Sequence, residues 1–297
     1  KDTIKVKVVK NDSGIISVST PVPSVNTDTP PVFTATPEPA LPDGTFTIAS
    51  KKEAVQLFID QYVNDYEGLR LVSECFAEDI KMVSDADLDI VVDNTKLKGS
   101  VIIAGSVDNN MLINKLVQEG KLNVDEIRGK WEVYKIDVVE NPFDGVDKAL
   151  VITGSDKRGT MYGLFSISEL MGVSPWVYWA DVNPVKKDEI SFKYSEIRTV
   201  SKEPSVKYRG IFLNDEEPSL GTWVNNKFKT TSGGKFNENF YEHVFQLLLR
   251  LKANYMWPAM WNSSFGADGV AFPEASAELA DTYGIVMGTS HHEPMML

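Results

Sequence analysis

The chain has 297 residues, 42% hydrophobic and 24% charged, which is enough apolar material for one large or two ordinary domains. A net charge of −12 excludes nucleic acid as the main partner, because phosphate binding needs clustered Lys and Arg. No window is long and apolar enough to cross a membrane, and a single cysteine, Cys75, excludes an intrachain disulfide and a cysteine-based metal site.

Cys75 reads as a small buried hydrophobe on a helix. The chain opens with KDTIKVKVV, without an initiator Met or a signal peptide, so an upstream piece is expected to have been removed or left out. Residues 1–19 alternate around Asn11-Asp12-Ser13-Gly14 and predict a β-hairpin, or the remnant of a preceding module. Residues 20–44 are rich in Pro and Thr, predicting an extended linker that packs no core.

Residues 45–200 read as an α/β domain. A short strand is expected at 45–49. Apolar spacing then predicts a mostly helical stretch from Lys51 to Met82, broken near Gly68. Strands are expected at 100–104, 132–139, 149–153 and 190–194, and helices at 111–119 and 160–171. Between strand and helix lies Gly154-Ser155-Asp156-Lys157-Arg158-Gly159. Its glycine spacing fits neither phosphate-loop nor dinucleotide fingerprints, so it reads as a tight turn capped by Ser155 or Asp156. Trp176 and Trp179 follow, and either pack an interface or stack on a ligand ring.

From 201 onward the pattern becomes regular βα units. Three strands are expected, VKYRGIFL, NYMWPAMW and GIVMGTS, separated by helices at 237–252 and 273–283, with 222–235 and 262–272 as long loops. Each strand stops at reactive side chains. The first stops at Asn214, Asp215, Glu216 and Glu217, the second carries Trp257 and Trp261, and the third stops at His291, His292 and Glu293. In barrels of alternating strands and helices, the loops after the strands share the functional face. Adjacent histidines on a strand point to opposite sides, and His243 on a helix is the only other one, so no metal site is expected. His243 itself reads as an exposed or interface residue. Carboxylates, imidazoles and indoles together suit a sugar. Cleaving a glycoside by inversion needs two carboxyl groups roughly 6.5–9.5 Å apart, which Asp215 and Glu293 could supply.

Four stretches carry a resemblance: GSDKRGTMYGLFSISELMGVSPWVYWADV, VKYRGIFLNDEEPSLGTW, FYEHVFQLLLRLKANYMWPAMW and LADTYGIVMGTSHHEPM. They resemble glycoside hydrolase family 115, the xylan α-1,2-glucuronidases. The resemblance implies removal of (4-O-methyl-)glucuronic acid from xylan or xylooligosaccharides with inversion. It implies an N-terminal α/β domain followed by the first part, about three βα units, of a (β/α)₈ barrel. Asp215 and Glu293 are the implied catalytic carboxylates, and Asn214, Glu216, Trp257, His291 and His292 the implied substrate binders.

The resemblance further implies a secreted protein, extracellular or periplasmic, with no cofactor, metal, nucleic acid or membrane partner. The full-length enzyme is expected to act on decorated xylan, and a homodimer is its expected assembly. Two other readings of the same residues stay open: another exo-glycosidase such as a β-N-acetylhexosaminidase, and a non-catalytic carbohydrate-binding fragment. In the family, further acid, base and carboxylate-binding groups lie beyond the HHEPM motif. The 1–297 segment alone is therefore expected to release no glucuronic acid from decorated xylooligosaccharides; robust turnover by it would contradict the expectation.

Overall fold

The structure, a computed structural model, describes residues 7–10, 16–19, 43–228, 236–261 and 263–288. The chain divides into two compact units, Lys1–Leu41 and Pro42–Leu297. In the first, β1 (Lys7–Lys10) and β2 (Ile16–Ser19) pair antiparallel, Lys7 opposite Ser19, as the alternation predicts. The turn between them and the Pro/Thr-rich stretch up to residue 42 lie outside the described residues.

The second unit begins with β3 (Thr45–Ser50) and β4 (Glu53–Ile59). Next come α1 (Tyr66–Ser84), β5 (Asp87–Val91), β6 (Gly99–Ser106) and α2 (Met111–Gln118). They are followed by β7 (Tyr134–Phe143), β8 (Val146–Gly154), α3 (Lys157–Met171), β9 (Glu189–Lys193), the short α4 (Tyr194–Ile197) and β10 (Thr199–Val200). These strands form one mixed sheet in the order β10-β7-β8-β6-β4-β3-β9, with β5 also paired to β4. Its parallel centre (β4, β6 and β8) carries buried apolar runs, Leu57–Ile59, Val101–Ala104 and Ala149–Ile152, because both faces are covered there. Ile102, Ala104, Leu150 and Ile152 face the core under α1 and α3, while Val101, Ile103, Ala149 and Val151 face the one under α2. Cys75 sits buried in α1, and burial pushes its thiol up to about 12, so it packs as a small inert hydrophobe.

One expectation fails here. Residues 53–59 form a strand, not the start of a helix that continues to Met82. Lys51 and Lys52 take left-handed backbone conformations and turn β3 back into β4. Leu57, Phe58 and Ile59 are then buried on alternate faces of the sheet. A short, largely apolar segment such as EAVQLFI suits a central strand as well as a helix, and spacing alone cannot separate the two. Only from Tyr66 does the helix run.

Three further strands, β11 (Gly210–Phe212), β12 (Tyr255–Trp257) and β13 (Val286–Met287), form a parallel sheet in chain order. Between them lie α5 (Leu220–Phe228), α6 (Glu238–Arg250) and α7 (Ala275–Tyr283). The helix α5 occupies part of a stretch expected to be loop. The side chain of Asn237 caps α6 by accepting from Asn239 N–H at 3.1 Å. Phe240, Val244, Phe245 and Leu248 bury the inner stripe of α6 in the same core that α1 and α3 cover, and Met256 of β12 and Tyr283 of α7 join it. Deep in this junction Arg250 of α6 makes a two-pronged pair with Asp79 of α1, at 2.7 and 2.9 Å, and stacks over Phe165.

The Gly154–Gly159 turn explains where the parallel strands start. Asp156 caps α3 by accepting from Gly159 N–H at 2.8 Å, and its other oxygen accepts from Glu132 N–H at 2.9 Å. Gly159 is required by space, since a methyl there would strike the Val133 carbonyl. Arg158 turns inward to Glu132 and also donates to Gly284 O at 2.8 Å. Glu132 is buried, with φ 54°, and takes a second arginine, Arg209, from the residue before β11. It also accepts from Asn254 Nδ2 at 2.7 Å, the residue before β12. Asn254 and Arg209 in turn claim the carbonyls of Lys207 and Val206, at 2.8 and 2.9 Å. These carbonyls are thus taken by side chains, and the first strand begins at Gly210 instead of Val206. Replacing Glu132 by Gln leaves two arginines facing a neutral group in a dry site. The expected loss is about 3 kcal/mol of unfolding free energy in a denaturant titration; a loss below about 1 kcal/mol would contradict this role.

Candidate functional site

The parallel register sets what the strand ends present. Gly210 pairs with Tyr255 and Phe212 with Trp257, while Tyr255 pairs with Val286. Side chains alternate along a strand. One face therefore carries Met256, fully buried against the helices, and the other carries Phe212, Tyr255 and Trp257. Phe212 and Trp257 are 45% and 40% exposed, and their rings meet edge to face at 5.9 Å. A pair of exposed aromatics at the carboxyl end of a parallel sheet is the wall expected of a pocket for a ring-shaped ligand.

The two loops that follow β11 and β12 adjoin. Leu213 N–H donates to the Trp257 carbonyl at 3.0 Å, extending the ladder one step beyond β11. Asp215 then turns inward. It is 0% exposed, and its Oδ1 accepts from the backbone N–H of Trp261 at 2.9 Å, so the carboxylate ties the first loop to the second. Asn214, Glu216 and Glu217 on either side of it are exposed. Glu217 accepts from the Thr222 hydroxyl and Ser219 Oγ donates to Glu216 O at 3.2 Å, which pins the acidic run against the first turn of α5. The acidic run thus splits into one inward carboxylate and two outward ones; strand alternation would send Glu217 the way of Asp215, but β11 ends at Phe212 and the run lies beyond it.

His291, His292 and Glu293, expected to complete the site from the third strand, lie outside the described residues. Of the expected site residues the structure therefore brings together Asn214, Asp215, Glu216 and Trp257. Reading the sequence missed Phe212 and Tyr255 as partners of Trp257. The signal was present as the two-residue spacing of Tyr255 and Trp257, which places both on one face. Among the described residues no group of three or more His, Cys, Asp or Glu is placed to hold a metal ion.

A cavity of about 310 Å³ lies elsewhere, among the helices, lined by Glu78, Tyr178, Lys227, His243, Gln246 and Arg250 among others. Trp179 borders it and packs at 5.6 Å from Trp223 and edge-on to Phe240, with its Nε1–H donated to the His243 carbonyl at 3.3 Å. That is interface packing, the first of the two roles open to it. His243 stacks flat on Tyr178 at 3.8 Å. Tyr178 is engaged by His243 stacked on it and by Lys227 Nζ at 5.8 Å from its ring centre, so its ring offers little to a sugar.

This architecture joins an α/β sheet to parallel βα units, with aromatics and carboxylates at the strand ends. It is similar to a solved family GH115 4-O-methyl-α-glucuronidase with specificity for decorated arabinogalactans. The TM-score is 0.66 and the identity 32%, over 83% of this chain and 30% of that one. This chain matches the model of glycosyl hydrolase family 115 over residues 201–297. It spans 30% of the length of the solved glucuronidase. More distant likenesses include the Streptomyces plicatus N-acetyl-β-hexosaminidase, at 11% identity and TM-score 0.46 over 82% of this chain and 42% of that one. The Flavobacterium johnsoniae chitobiase follows at 12% and 0.42, over 83% and 32%. No curated protein matches the chain.

Burial holds the His243 imidazole below its ordinary value of 6.5, with Lys227 adding to the effect and Glu242 opposing it. The folded state therefore binds this proton less readily than the unfolded one, and stability is lost as pH falls below about 6.5. Replacing His243 by Phe keeps a ring on Tyr178 but removes the titration. The loss of unfolding free energy between pH 7 and pH 5 should be smaller in the variant; equal losses would contradict the assignment.

Proposed function

We propose that the protein carrying this chain is a glycoside hydrolase that removes α-linked (4-O-methyl-)glucuronic acid side groups from a decorated plant polysaccharide. The observation that carries this reading is the family match over 201–297 together with 32% identity to a 4-O-methyl-α-glucuronidase. The three parallel strands β11 to β13 are, in this reading, the first three of a (β/α)₈ barrel. Their carboxyl ends then form one wall of the sugar pocket. Trp257 and Phe212 present the apolar wall, and Asn214, Glu216, His291 and His292 read hydroxyls and the uronic carboxylate.

Asp215 and Glu293 are the proposed catalytic pair, one to activate water and the other to protonate the leaving oxygen. Asp215 is buried beneath the Trp261 loop in this structure, so the proposal requires that loop to yield when substrate enters. A polymeric substrate stays outside the cell, which places the enzyme beyond the cytoplasmic membrane. Among the described residues no helix is long and apolar enough to cross one.

Glucuronoxylan, α-1,2-decorated, is the substrate the sequence resemblance implies. A second reading, decorated arabinogalactan, is favoured by the specificity named for the solved glucuronidase. Release of glucuronic acid from the two polymers by the full-length protein separates them. Release from neither, with turnover of p-nitrophenyl N-acetylglucosaminide, would overturn both. Asp215→Asn keeps an acceptor for Trp261 N–H while removing the charge. It should lower kcat by about 10²–10⁴-fold with the unfolding midpoint nearly unchanged. Proton NMR of the first product should show the β-anomer. Turnover within about tenfold of wild type in the variant would remove Asp215 from the chemistry.

A further inference from the structure

We propose that Tyr255 and Gly288 are positioning residues for Trp257: together they fix the indole so that it meets a sugar with its ring face and withholds its N–H. The proposal rests on the reading above that the sugar lies against Trp257.

Trp257 and Tyr255 stand on the same side of β12, two residues apart. The indole Nε1–H is donated to the Tyr255 hydroxyl. An indole has one hydrogen-bond donor, and here it is spent inside the protein. Tyr255 is itself braced by the Tyr208 ring at 5.8 Å. Phe212 closes the opposite flank of Trp257 through its edge-to-face contact, with the planes at 85°.

The support from below comes from the next strand. Gly288 follows β13 in register, and its N–H donates to Met256 O at 2.8 Å, which extends the pairing to the level of Trp257. A methyl at Gly288 would overlap the Tyr255 hydroxyl and both Cδ1 and Nε1 of Trp257. Its φ lies outside the left-handed region, so backbone conformation does not call for glycine there. Space does: the tyrosine–tryptophan pair lies across the bare backbone. The indole is thus held by a hydroxyl, a ring and a glycine floor, and it remains 40% exposed. A pyranose presents an apolar C–H face that stacks on a π surface and gains nothing from an indole donor. Locking the ring before the sugar arrives also saves the entropy of ordering it on binding.

The test is steady-state kinetics of the full-length protein on its glucuronic-acid-decorated oligosaccharide. Tyr255→Phe should raise KM about fivefold, the effect of one net hydrogen bond, with kcat within about twofold. Trp257→Ala should raise KM further. In the Trp257→Ala background, Tyr255→Phe should have no added effect, because the tyrosine acts only through the indole. Gly288→Ala should raise KM in the same direction. Should that variant not fold, the Tyr255 cycle decides alone. An unchanged KM in Tyr255→Phe, with KM raised in Trp257→Ala, would overturn the inference and leave the pocket wall standing. Equal effects of Tyr255→Phe in both backgrounds would overturn it as well, making Tyr255 a direct contact. An unchanged KM in Trp257→Ala would overturn both this inference and the role of Trp257 in the pocket.

Discussion

Everything at the strand ends depends on one buried carboxylate at the strand beginnings. Glu132 is drawn from the sheet domain, held in a left-handed turn, and shared between Arg158, Arg209 and Asn254. Dehydrating such a cluster costs several kcal/mol per ion, so its net contribution to stability is small, while breaking it is expensive. What it gives is register. Arg209 and Asn254 are the residues before β11 and β12, and with both tied to one point the two strands must start level. Strands that start level end level, and their following loops meet on the opposite rim.

On that rim a second carboxylate does the matching work. Asp215, at the end of the first loop, accepts from the backbone of Trp261 in the second. The two anchors, one beneath and one above, bracket short strands of three residues each. Such strands make few ladder bonds of their own. Their placement is set by side chains and by the apolar layer of α6 and α7, in which Phe245, Tyr283 and Met256 share the core of the larger sheet. The aromatic face with Phe212, Tyr255 and Trp257 is left turned away from that core, available to a ligand.

Much of this was legible in the sequence. The strands β6 and β8 carry apolar runs, the helices α2, α3, α6 and α7 are marked by apolar periodicity, and the reactive residues cluster where strands stop. Two elements were not. The strand Glu53–Ile59 is too short for periodicity to tell from a helix, and only its pairing with β6 decides. The helix Leu220–Phe228 contains Gly221, Asn225 and Asn226, all poor helix formers, and is held instead by Val224 in the core. Glu132 could not be read at all, because Arg158, Arg209 and Asn254 lie 26, 77 and 122 residues further along. Charges so far apart in sequence carry no local signal. For the site, Trp257 could be read as standing on a strand, yet nothing local could show that Asp215 would be folded inward and tied to the loop after the next strand.

The most direct measurement of the central claim is a crystal structure of the full-length protein with 4-O-methylglucuronic acid bound. The account predicts the sugar ring lying flat against Trp257, at the carboxyl ends of the parallel strands, with the Trp261 loop displaced and Asp215 within hydrogen-bond reach of it or of an ordered water. A sugar bound instead in the cavity between Tyr178 and Gln246, or at the strand beginnings near Glu132, would contradict it.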